Sequence, residues 1–136
     1  MTRFPRIFRT IFALIALIGT PLAADNIRTY DCSPTGFTTE TDDQQFIQGN
    51  MEKRFLIQAG DQDIHVTASS RRFNSYRQEY RVFRKSGTES FGISEGSVGV
   101  GVIALSETYF EGAYHATISL QTSLFGNTWI LSCQKF

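Results

Sequence analysis

Two cysteines, Cys32 and Cys133, stand near opposite ends of a 136-residue chain, and no other cysteine lies between them. Downstream of an export signal such a pair predicts one disulfide, because thiols reaching an oxidising compartment become paired. That bond would hold the first and last elements of the fold side by side. Architectures that leave the two chain ends far apart are thereby excluded.

The export signal is read in residues 1–24. Arg3, Arg6 and Arg9 form a basic leader, Ile11 to Ile18 an apolar run, and Pro21-Leu22-Ala23-Ala24 supplies small residues for cleavage. The apolar run is bounded by Arg9, Gly19 and Pro21. It falls short of the ~20 residues that a membrane-spanning helix needs. No cysteine follows Ala24, so lipid attachment is not expected. The expectation is an exported chain, periplasmic or extracellular, with one domain over residues 25–136 and no transmembrane segment in it.

The signal holds three of the thirteen basic residues and none of the thirteen acidic ones. The mature domain is left with ten against thirteen, a net charge of −3, which gives no reason to expect a nucleic-acid partner. Twelve Phe and five Tyr in a chain that is 41% hydrophobic exclude a disordered polypeptide.

After the signal, apolar residues recur at every second position, the period of half-buried strands. Tyr114, Ala116, Ile118 and Leu120 form one such face, and Trp129, Leu131 and Cys133 another. Val98, Val100, Val102 and Ala104 form a third, read as the inward face, opposite Ser97, Gly99 and Gly101. Upstream, Lys53 to Gln58 and Ile64 to Ala68 flank Ala59-Gly60-Asp61, a hairpin candidate. Tyr76, Tyr80 and Val82 share a face, Ile27 to Cys32 offers a first strand, and Phe91 to Ser94 a weaker one. Glu111-Gly112 and Phe125-Gly126-Asn127 are short glycine-containing breaks suited to hairpin turns. No segment shows a helical period.

About eight short strands in a chain of this length predict an all-β domain, either a two-layer sandwich or, preferred here, a small closed antiparallel barrel. Closure would pair the first and last strands and hide both sheet edges. The disulfide would lie on that seam, near Tyr30 and Trp129.

Candidate chemistry is sparse. Gly92-Ile93-Ser94-Glu95-Gly96 matches the G-x-S-x-G pattern of serine hydrolases, but an alternating valine run follows it where a helix is required. Asp61, Asp63 and His65 alternate and could begin a metal site, yet neighbours on one strand face lie roughly 6.5–7 Å apart. Glu40-Thr41-Asp42-Asp43 reads as a hydrated acidic loop. No catalytic residue, cofactor or metal ligand is assigned from these patterns. The one concentrated basic stretch is Arg71, Arg72, Arg77, Arg81, Arg84 and Lys85, interleaved with Phe73, Tyr76, Tyr80 and Phe83. It is a candidate surface for an anionic partner, although charge runs are more often solvated faces.

Tyr30-Asp31-Cys32 near the mature start, with a second cysteine at the end of a small exported β domain, resembles the periplasmic C-type lysozyme inhibitors. The resemblance implies a small barrel and covers the two ends of the chain. In the middle, Ser86-Gly87-Thr88-Glu89-Ser90-Phe91 carries its aromatic residue one place later than the inhibitory Ser-Gly-x-x-Tyr pattern, so no inhibitory residue is assigned.

Together these features predict a non-catalytic, monomeric binding module of the cell envelope that contacts an envelope protein, polymer or lipid surface through Arg71 to Lys85. One alternative is a carrier with a small apolar ligand in a pocket inside the barrel. Another is an inhibitor of a host or envelope hydrolase.

Overall fold

In a computed structural model, which describes residues 26–96 and 99–136, the chain forms eight antiparallel strands closed into a barrel. These are β1 (Arg28–Thr38), β2 (Arg54–Ala59), β3 (Asp63–Ser69), β4 (Tyr76–Ser86), β5 (Glu89–Glu95), β6 (Val100–Phe110), β7 (Ala113–Gln121) and β8 (Gly126–Lys135). Each pairs with its neighbour in sequence, and β1 also pairs with β8. The signal reading at residues 1–24, and the positions assigned to Ser97 and Val98, lie outside the described residues.

Closure occurs along the first and last strands. Tyr30 to Pro34 lie opposite Lys135 to Leu131, and Cys32 faces Cys133 directly across the ladder. The two form the disulfide, with Cα atoms 4.0 Å apart. Both cysteines are fully buried with Tyr30, Phe55, Ile57, Ile64, Ile103 and Leu131. The ladder shifts register between Pro34 and Gly36. Pro34 lies beyond the last residue at which β1 pairs with β2, Cys32. There a missing N–H costs no ladder bond on that side.

The two ends of the barrel differ. One is closed by tight turns, such as Glu111-Gly112, where both residues have positive φ (49° and 84°). This is the backbone that a two-residue hairpin with right-handed strand twist requires. At the other end, which we call the mouth, the connections are longer. Residues 39–53 join β1 to β2 there and carry a helix, α1 (Gln44–Met51). Asp43 caps it by accepting from the N–H groups of Gln45 and Phe46, so the acidic loop read from the sequence is in part a helix cap. The helix corrects the expectation that no helical segment exists. Two turns containing only Phe46, Ile47 and Met51 as large apolar residues are too short to show a period.

A second correction concerns β6. Val100 and Val102 are exposed, whereas Gly101, Ile103 and Leu105 face inward. The valine face was read as inward because glycine adds no apolar signal. In the barrel, the buried Tyr80 fills the space that side chains at positions 92 and 101 would occupy. A Cβ on Gly92 would stand 2.9 Å from the Cβ of Tyr80, and one on Gly101 3.2 Å from its Cε1. One large ring therefore packs against two residues without side chains, and this sets the parity of β5 and β6.

Two stability outcomes follow from this packing. Reduction, or Cys32→Ser with Cys133→Ser, is expected to lower the melting temperature by many degrees. Releasing a closed loop of about 100 residues costs ~4.7 kcal/mol in the chain-entropy treatment. A melting curve unchanged by reductant would refute it. Gly92→Ala is expected to cost about 1–3 kcal/mol by overpacking against Tyr80 and Ile103, seen as a lower denaturation midpoint at unchanged slope.

Candidate functional site

The end with tight turns is sealed. There Arg28 Nε and the Tyr30 hydroxyl, the latter at 3.1 Å, both donate to Glu107 Oε1. Tyr30 packs edge-on against Tyr114, which also meets Tyr109. Burial, with Glu107 adding to it, pushes the Tyr30 phenol far above its ordinary range and keeps it a neutral donor.

The mouth is open. A cavity of about 900 Å³ lies there, between α1 with the loops beside it and the β7–β8 turn. Its walls are Phe46 from α1, Phe73 from the β3–β4 loop, Tyr76 from β4, and Leu120, Leu124 and Phe125 across from them. Trp129 of β8 lines it as well, on the side of the core. The barrel interior beneath is filled by packed side chains, so the space lies at the mouth and not along the barrel axis.

The rings are connected. Phe55 meets Trp129, Trp129 meets Phe37, Phe37 meets Phe46 and Phe46 meets Phe73, with centroids 5.1–6.0 Å apart. This chain docks α1 and the β3–β4 loop onto the barrel. Gly49 allows the final contact, because a Cβ there would stand 2.8 Å from Phe73 Cε2.

Lys53 enters the same cavity, immediately before β2, and only 7% of it is exposed. Its ammonium lies 4.9 Å from the ring centroid of Trp129, 5.2 Å from that of Phe73 and 5.3 Å from that of Tyr76. Among the described residues no carboxylate forms an ion pair with it. Burial alone lowers its pKa from the usual lysine value. Cation–π contacts contribute about 0.5–2 kcal/mol each. They supply no hydrogen-bond acceptor, and the effective cost of burying an ion is several kcal/mol. The indole N–H of Trp129 is likewise buried without an acceptor among the described residues. Asn127 Oδ1 is engaged, accepting from Thr39 Oγ1 at 2.7 Å.

The residues marked in the sequence are dispersed. Arg71 and Arg72 lie in the β3–β4 loop beside the mouth, where Arg72 pairs with Glu52 at 3.3 Å. Arg77 and Arg81 are exposed on the outer face of β4. The register shift between Val82 and Arg84 turns Arg84 outward, over the Phe91 ring. Lys85 reaches Asp61 at 2.8 Å near the sealed end. Ser94 is buried inside β5, where it accepts from the Gln78 side chain. His115 lies toward the sealed end of β7, in register with Ser106, and hydrogen-bonds to the Phe110 carbonyl oxygen. The two do not meet. Asp61 pairs with Lys85 and Arg28, while His65 Nδ1 lies 3.3 Å from an Arg77 nitrogen. In the segment from Ser86 to Phe91, Ser86 ends β4, Gly87 and Thr88 form the turn, and Glu89 to Phe91 open β5 with Ser90 buried.

Sequence reasoning placed Trp129 on an inward face but did not single out Lys53. The signal was present. Phe55, Ile57 and Ala59 are the inward residues of β2, and the same period-two parity extended one step back falls on Lys53.

No protein-family model, curated protein or solved structure matches the chain. The site therefore stands on its own geometry.

Lys53→Met is expected to stabilise the ligand-free domain by roughly 1 kcal/mol or more, since it keeps the stem and removes a buried charge lacking a counterion. The sign with pH follows from the lowered pKa. Between the folded and unfolded values the unfolded chain holds more protons, so the Lys53 contribution rises with pH through that window. Denaturant midpoints from pH 7 to pH 10 should show a gap between variant and wild type that narrows as pH rises. A variant less stable than wild type at pH 7 would contradict this.

Proposed function

We propose that the domain is a non-catalytic, exported binding module that holds a small, largely apolar molecule in the mouth of its barrel. The observation that carries this reading is the cavity of about 900 Å³ walled by Phe46, Phe73, Tyr76, Leu120, Phe125 and Trp129. That volume lies within the ~300–1,000 Å³ range of small-molecule sites. An eight-stranded barrel has an interior that side chains can fill, and here the filled interior leaves the space for a ligand at the mouth. Export is supported by the leader-like residues 1–24 and by the Cys32–Cys133 bond.

A second reading keeps the basic stretch as a docking surface. Arg77, Arg81 and Arg84 share the outer wall of β4, interrupted by Glu79. Salt-sensitive retention of the domain on an anionic matrix, lost in a variant with all three arginines changed to Ser, would favour it.

Trp129 is the single tryptophan and lines the cavity, so its fluorescence reports occupancy. Titration with dodecanol and dodecanoate, each below its aggregation concentration, is expected to give a saturable one-to-one change with at least one of them. Leu124→Asp at the exposed rim should weaken that binding. No saturable change with either ligand, and no small molecule carried through purification, would overturn the cavity reading.

A further inference from the structure

Among its aromatic walls the cavity holds one lysine ammonium. Lys53 contributes an ammonium whose close neighbours are three aromatic faces and which has no ion-pair partner among the described residues. Apolar walls alone would suit any hydrophobic molecule. A buried cation in such a wall is unfavourable in the empty site, because the rings replace part of its hydration but none of its hydrogen bonds. A carboxylate meets both needs at once, supplying opposite charge and acceptor lone pairs, and charge-assisted hydrogen bonds are about twice as strong as neutral ones. The rim adds a restriction on charge. Glu40 and Asp42 line the mouth and are exposed, so a ligand carrying several negative charges would meet repulsion on entry, whereas one charge held beneath the rim is screened by Lys53.

We infer that the ligand is an amphiphile with a single anionic head of carboxylate type, bound head-inward on Lys53 with its apolar body between the aromatic walls. This rests on the cavity reading above and gives it a ligand class. Lys53 is the specificity-determining residue. The Lys53 ammonium is held over the rings of Phe73, Tyr76 and Trp129, so it is presented to the ligand in a fixed place and little side-chain freedom is lost on binding.

The test is calorimetric titration of the oxidised mature domain with dodecanoate, dodecanol and dodecyltrimethylammonium, in the wild type and in Lys53→Met and Lys53→Arg. The expected result in the wild type is dodecanoate bound roughly tenfold to a hundredfold more tightly than dodecanol, with dodecyltrimethylammonium weakest. Lys53→Met should bring dodecanoate to the affinity of dodecanol while dodecanol is retained, and Lys53→Arg should keep the preference. Equal binding of dodecanoate and dodecanol by the wild type would overturn the anionic head and leave the cavity reading standing. Binding of none of the three would remove both. A carboxylate preference that survives in Lys53→Met would overturn the role of Lys53. Should Lys53→Met fail to fold, the wild-type ranking of the three ligands and the behaviour of Lys53→Arg still decide the head-group charge.

Discussion

The seam between β1 and β8 is the constraint on which the remaining structure depends. Each of the other ladders joins strands adjacent in sequence, so each can form locally. The seam alone brings together residues separated by 101 positions, and the Cys32–Cys133 bond is placed within it. Until it forms, the sheet has two free edges, and its inward residues, from Tyr30 and Phe55 to Trp129 and Leu131, have no enclosed space to fill. Once it forms, strand tilt and stagger follow from the number of strands. The cysteines therefore do more than shorten the unfolded chain, since they fix which strand is the neighbour of β1.

Closure also determines where a ligand can be accommodated. Eight strands give an interior narrow enough for side chains to fill, and here they do. The sealed end is occupied by the Arg28–Glu107–Tyr30 cluster with its tyrosines. What remains is the mouth, where a row of aromatic rings docks α1 and the β3–β4 loop onto the barrel. The cavity exists because rings at its edge pack against each other and leave the centre unfilled. Among the described residues Lys53 has no carboxylate partner, against the rule that buried charges are paired, and a local conflict of this kind commonly marks a site whose stability is subordinate to its use.

Strand parity shows how far the sequence could be read. In β7 and β8 the large residues, Ile118, Trp129 and Leu131, are the inward ones, so alternation pointed the right way. In β6 the same rule failed, because Gly101 is inward beside Ile103 and Leu105 while Val100 and Val102 face solvent. Hydrophobicity identifies an inward position only when the space is filled by the residue itself. Beside Tyr80 it is filled by a residue of another strand. Helix α1 was missed for a related reason, since its docking depends on Phe46 meeting Phe37 and Phe73, contacts that no eight-residue window contains.

The sequence by itself determined an all-β domain, its hairpin order and the oxidised pairing of its ends, because alternation, turn residues and cysteine usage act over a few neighbouring positions or through compartment. Tertiary structure decided which face of β6 is buried, which end of the barrel is sealed, and that Lys53 shares a cavity with Phe73, Tyr76 and Trp129. Those properties depend on volumes and charges contributed by residues far apart in the chain, and they acquire a definite arrangement only when the barrel closes.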